Sequence, residues 1–181
     1  MVDPYEVRNT GMDDLKEIFD FFDQSISYQE KHGYPAWINY DKNAIIRDIE
    51  NKHQYKVVIG SRIGIVFSVG YTDQVIWRTL DKGNSIYLHR IVVNPELKGR
   101  KLFGLVLNWA VQHAEQKGLG SIRMDTWADN PSIIRYYQNF GFAVIENYTT
   151  PDSAALPVHN RNLALTLMEY RPPKDSSKGK A

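Results

Sequence analysis

The chain has 181 residues, 43% of them hydrophobic and 24% charged, which is one domain's length with enough apolar material for a packed core. The formal net charge is +1, but the last eleven residues, RPPKDSSKGKA, carry +3, so the body 1–170 stands at −2. A mildly acidic body argues against a dedicated nucleic-acid binder, and the absence of cysteine excludes disulfides, thiolate nucleophiles, cysteine zinc sites and iron–sulfur clusters. The opening MVDPYEV has no basic flank followed by an apolar stretch, and the apolar run 63–70 is far shorter than the ~18 residues of a membrane span. The expectation is a soluble cytoplasmic chain with no membrane or nucleic-acid partner, its domain at 1–170 and a flexible basic tail at 171–181.

Tyr5 to Asn9 reads as a short strand. Leu15, Ile18, Phe19, Phe22 and Ile26 then recur at helical spacing behind the acidic pair Asp13 and Asp14. HGYPAWINY, 32–40, is an aromatic-rich loop, after which Asp41 caps a second helix carried inward by Ile45, Ile46 and Ile49. Tyr55–Ile59 and Ile63–Tyr71 are strands joined by a hairpin at Gly60-Ser61-Arg62. A loop with Asp81, Gly83 and Asn84 leads to the strand Ser85–Val93. Past Pro95 and Gly99 comes a helix with the stripe Leu102, Leu105, Val106, Trp109, Ala110 and Ala114, closed by Gly118 and Gly120. Ser121–Trp127 is a strand, and Asn130-Pro131 starts a helix that Gly141 stops. Two last strands, Phe142–Tyr148 and Leu163–Tyr170, flank a long loop. This order describes an α/β (α+β) domain, a three-layer α/β/α arrangement around a mixed, mostly antiparallel sheet with one β-α-β unit.

No phosphate loop of the GxxxxGK[ST] type, no GxSxG elbow and no HExxH pair is present, and Gly118-Leu119-Gly120 is a turn before a strand. The informative stretch is 86–142. There the strand IYLHRIVV runs through Asn94-Pro95 into the basic turn Lys98-Gly99-Arg100-Lys101 and a helix. Unpaired first-turn N–H groups and the helix dipole suit such a turn to a phosphate-type anion, as they would any solvated basic helix start. Together, LHRIVVNP, KGRKLFG and the N-x6-Y-x3-GF segment (Asn130, Tyr137, Gly141, Phe142) resemble the Gcn5-related N-acetyltransferase (GNAT) family.

The resemblance implies an acetyl-CoA-dependent acyltransferase in which the sheet splays between the strands 85–93 and 121–127. The cofactor arm would pair with backbone near Ile91, Val92 and Val93 and meet Asn130. The amides of Lys98, Gly99, Arg100, Lys101, Leu102, Phe103 and Gly104 would take the pyrophosphate, and Tyr137 would stand as general acid near the cofactor sulfur. Direct attack by an amine needs no cysteine. The family's turn is (Q/R)-x-x-G-x-(G/A), and here those positions read Lys98, Lys101 and Phe103, so a bulky ring stands where a small residue is usual.

For the base, some members carry a glutamate on the strand matching 85–93, where the nearest residue is Tyr87. His89, two residues on, is the candidate catalytic base, with a water relay or Asp125 as further options. Tyr34, Trp37, Trp77, Tyr87, Asp125 and His159 are candidates to line the acceptor pocket, while His32, His53 and His113 read as surface residues without metal spacing, and no metal site is expected. The partner is a small-molecule or protein amine, and a homodimer is compatible with the reading. A non-catalytic CoA-binding module of the same fold is the alternative.

Overall fold

The computed structural model describes residues 4–34, 40–154, 156 and 160–173. Seven strands form one sheet: β1 (Tyr5–Asn9), β2 (Gln54–Ile59), β3 (Arg62–Gly70), β4 (Ser85–Val93), β5 (Ser121–Trp127), β6 (Ala143–Thr149) and β7 (Ala164–Tyr170). Among the described residues four α-helices accompany them: α1 (Leu15–Lys31), α2 (Lys42–Glu50), α3 (Phe103–Gln116) and α4 (Pro131–Gln138). The expected boundaries match within a few residues, apart from the end of α1. Asp41 caps α2 by accepting from the Ala44 N–H, and Asn130 caps α4 by accepting from the Ile133 N–H with Pro131 behind it.

The strand order is β1-β2-β3-β4-β5-β7-β6. Every neighbour pair is antiparallel except β4–β5, as the single β-α-β unit requires. The last strand in sequence inserts between β5 and β6 and leaves β6 at the edge, an order the linear chain did not announce.

Alternation assigns one strand face to α3 and α4 and the other to α1 and α2. Ile65, Phe67, Ile86, Leu88, Ile122, Met124 and Met168 bury against Phe103, Val106, Leu107, Ala110 and Tyr137. Val66 and Val92 bury on the opposite face against Ile18, Phe21, Phe22, Ile45 and Ile49. The segment 71–84 folds over the same sheet in a third cluster, setting Ile76 and Trp77 on Tyr87, Leu165 and Leu167. The three-layer expectation therefore holds. Among the described residues no helix is long and apolar enough to cross a membrane.

Candidate active site

The parallel pairing of β4 and β5 is short, since only Ser85, Ile86 and Tyr87 face Ser121, Ile122 and Arg123. β5 stays on β7 through Trp127, so it is β4 that leaves. On its other edge β4 carries a bulge: Ser68 pairs with His89 and Val66 with Val92, so Arg90 and Ile91 together oppose Phe67. Arg90 takes a left-handed φ of 49°, and its guanidinium pairs with Asp48 of α2. A bulge bends and overtwists its strand, here beside the point where β4 and β5 part. The outcome is a cleft between His89–Val93 on one side and Asp125–Trp127 on the other.

The basic turn lies at the end of β4. Gly99 and Lys101 both adopt left-handed φ, 88° and 53°. Among the described residues the N–H groups of Gly99, Lys101 and Leu102 donate to no backbone carbonyl, whereas those of Lys98, Arg100 and Gly104 do. The Phe103 N–H faces the Tyr136 hydroxyl. Three unclaimed amides at the start of α3, among Lys98, Arg100 and Lys101, form a cradle for an anion. The ring of Phe103 does not crowd it. Phe103 is 1% exposed and packs in the core, 4.9 Å from Tyr137, 5.1 Å from Phe140 and 5.9 Å from Phe142, centroid to centroid. The apolar stripe of α3 runs Phe103, Val106, Leu107, Ala110 and Ala114, turned slightly from the expected one. Lys98 rests its ammonium on the ring of Tyr28, 2.9 Å from the centroid. An open depression of about 350 Å³ lies along α4 between Pro131, Arg135, Tyr136 and Asn139.

Tyr137, 8% exposed, projects from α4 into the core beside the cleft. Burial raises its hydroxyl well above the ordinary phenol range, and the charges of Tyr136 and Asp125 push the same way, so it stays protonated. Asp125, His89 and Asp73 bring a carboxylate oxygen or a ring nitrogen each to within 4.8 Å of one another. Burial, followed by the charge of Asp73, raises Asp125 to about 7. Burial and then Arg90 lower His89 to about 4 against the opposing pull of Asp48, leaving a neutral imidazole at neutral pH.

Asp73 is the residue that sequence reasoning missed. It belongs to the 71–84 loop, where nothing in composition or spacing separates it from Asp81. Its Oδ1 accepts from the Ile76 N–H at 3.1 Å, and burial and Asp81 raise its carboxyl. Asp81 anchors the loop. It accepts from the Thr72 hydroxyl at 2.6 Å, the Asp73 N–H at 2.8 Å, the Gly83 N–H at 3.0 Å and the Tyr87 hydroxyl at 2.9 Å. Burial alone would raise Asp81, but these bonds outweigh it and hold the group at about 2. Tyr87 also accepts from Arg123 at 3.1 Å, and Arg123 pairs with Glu169 at 2.7 Å.

Two expected pocket residues are thereby corrected. Tyr87 and Trp77 are both 0% exposed; the hydroxyl of Tyr87 is engaged between Asp81 and Arg123, and Trp77 is covered by Arg123, 4.5 Å from its ring. Neither presents surface to an acceptor. Tyr34, 41% exposed, stacks with His32 and through it with Tyr28 at the end of α1, next to Lys98. Asn130 spends its side-chain oxygen on the α4 cap. Val92 points into the α1/α2 core, while Ile91 and Val93 pack against the α3 side. Trp37 and His159 lie outside the described residues. His113 is no plain surface residue: it hydrogen-bonds the Tyr71 hydroxyl at 2.7 Å and stacks on Trp109. His53 is half-buried, edge-on to Tyr71.

Comparison with known proteins agrees with this architecture. An uncharacterized N-acetyltransferase of Methanocaldococcus jannaschii is 21% identical over 78% of this chain, which spans 62% of that relative's length. A GNAT-family acetyltransferase structure from Listeria monocytogenes superposes with a TM-score of 0.75 at 18% identity, covering 93% of this chain and 95% of that one. The PaiA N-acetyltransferase of Thermoplasma acidophilum, solved in complex with coenzyme A, gives 0.70 at 16% identity, covering 93% and 99%. The family model for acetyltransferases of the GNAT family matches residues 12–142, and on that match the chain belongs to the GNAT family.

Proposed function

We propose that the chain is an acetyl-CoA-dependent N-acetyltransferase that passes an acetyl group to a primary amine by direct attack in a ternary complex, with Tyr137 as the general acid. The observation that carries this reading is the opening of β4 from β5 after three residue pairs, beside a turn with three unclaimed amides. Family membership and the coenzyme A in the Thermoplasma relative support it. The donor set fits the cofactor's chemistry, since the amides of Gly99, Lys101 and Leu102 with the nearby cations suit a pyrophosphate, and Arg135 on α4 suits a further phosphate. When bound, acetyl-CoA supplies an acetyl thioester.

With acetyl-CoA bound, the freed backbone of Ile91 to Val93 would hold the cofactor arm along β4 and offer N–H groups to the thioester carbonyl. Tyr137, kept protonated by burial, would supply a proton to the thiolate. The alternative of a non-catalytic CoA-binding module loses one of its supports, because Phe103 is turned into the core rather than into the cradle.

Tyr137→Phe tests the assignment, since it keeps the ring that packs on Phe103 and removes only the hydroxyl. Thiol release from acetyl-CoA is expected to slow by ~10²–10⁴-fold, with coenzyme A affinity within about twofold of the parent. An unchanged rate, or equal losses of rate and affinity, would refute the role.

A further inference from the structure

We propose that the cleft takes its acceptor as an alkylammonium ion held by Asp73, Asp125 and His89, and that Asp125 rather than His89 removes its proton. This rests on the acetyltransferase reading and names the acceptor class for the same site.

The three groups form a partly buried set of acceptors with unused capacity. The Asp73 side chain is 10% exposed. Its Oδ2 has no hydrogen-bond partner among the described residues, yet lies 4.0 Å from His89 Nε2. A second observation comes from β3. Ser68, 0% exposed, pairs with His89 across the ladder, so its side chain shares the face of the imidazole, and its hydroxyl likewise has no partner among the described residues. Buried polar atoms are nearly always paired, so two orphans beside one histidine point to a missing donor.

The surrounding charges say that the donor is a cation. Arg90 pairs with Asp48 of α2, and Arg123 with Glu169 of β7. Asp81 is occupied by its own loop and by the Tyr87 hydroxyl, and Tyr87, Tyr136 and Tyr137 bring no positive charge. Among the described residues no cation pairs with Asp73 or Asp125, whose repulsion and burial hold Asp125 at about 7. That value suits a base at neutral pH, whereas an imidazole at about 4 is a poor proton acceptor and a good neutral hydrogen-bonding group.

Acceptors around an ammonium at ~2.8 Å and tetrahedral angles stand roughly 4.6 Å apart, and ligands around zinc at ~2.1 Å stand about 3.4 Å apart. The 4.0 Å between His89 Nε2 and Asp73 Oδ2 lies midway, so zinc enters the test below as the competing cation.

The protons balance. The acceptor R–NH₃⁺ gives one proton to the Asp125 carboxylate and becomes the neutral amine. As its lone pair forms the C–N bond and the thioester C–S bond breaks, Tyr137 protonates the sulfur and regains a proton from the nitrogen. Asp125 later releases its proton to water. An arylamine, neutral at this pH, brings no charge to the two carboxylates and is excluded.

The test uses the full chain and two readouts. Without acetyl-CoA, n-butylammonium and n-butanol are titrated against the imidazole resonances of His89; with acetyl-CoA, thiol release is followed for butylamine and aniline. Butylammonium alone is expected to shift His89 saturably. Asp73→Asn, which keeps the oxygen that Ile76 needs, is expected to weaken this binding and raise the butylamine KM about tenfold, and Asp125→Asn to lower kcat/KM at least ~100-fold. Aniline should react at under about 1% of the butylamine rate. Equal use of both amines keeps acetyl transfer but overturns the ammonium site. Release from neither, with the His89 shift intact and lost in Asp73→Asn, keeps the site and removes acetyl transfer. A missing shift, or one produced by zinc and not by butylammonium, overturns the proposal.

Discussion

The carboxyl of Asp125 imposes a pH-dependent cost on the fold that a single substitution should remove. In the unfolded chain it titrates at its ordinary 3.8, and in the folded chain at about 7. The folded state therefore holds a proton that the unfolded state has lost throughout this window. The stability this confers is fully present below the unfolded value and is lost as pH rises through 7. The gap of about three pH units, at 1.36 kcal/mol each, is worth about 4 kcal/mol as an upper bound, of which about 2–3 kcal/mol falls between pH 5 and 8. Asp125→Asn keeps the shape and cannot ionise. Its Tm relative to the parent should climb by about 5–10 °C from pH 5 to pH 8 for a chain of this size and level off above pH 7. Asp73→Asn removes the charge that helps raise Asp125, so the parent's loss of stability should end at a lower pH. Melting curves at half-unit pH intervals read this directly. A constant Tm difference, or an Asp125→Asn chain less stable at pH 8 than the parent, would refute the assignment of a buried, charge-repelled carboxyl.

Two further outcomes follow from the cofactor turn. Phe103→Ala empties the centre of the ring cluster with Tyr137, Phe140 and Phe142 and is expected to cost ~3–5 kcal/mol in denaturant titrations, which a cradle-lining side chain would not. Lys101→Gly relieves a left-handed φ of 53° and should stabilise the fold by about 1 kcal/mol, whereas Lys101→Ala should not; both should weaken coenzyme A binding through the lost charge.

Much of this architecture was legible in the chain because local signals and packing agree. Alternation in Ile63–Val69 and Ser85–Val93, the hairpin at Gly60 and the Asn130-Pro131 cap act within a few residues, and burial reinforces each of them. The basic turn was legible for the same reason. What was not legible depends on non-local pairing. β7 enters between β5 and β6 through a register that only the sheet defines. Asp73 reaches the cleft because Asp81, Tyr87 and Arg123 tie its loop down, a network that joins the loop to β4 and, 36 residues on, to β5. Trp77 and Tyr87 looked like acceptor walls because aromatic residues in or near loops serve equally well as core, and that network buries them. Phe103 looked obstructive when compared with a motif position, and it is harmless because the first turn of α3 directs it inward.

The central claim is that the turn at the start of α3 and the open side of β4 hold coenzyme A. Backbone amide shifts on titration with coenzyme A, with ATP as control, test it most directly. Saturable shifts largest at Gly99, Lys101 and Leu102 and extending along Ile91 to Val93, with ATP failing to move the β4 amides, are the predicted result. No binding, or shifts centred away from this turn, would contradict it.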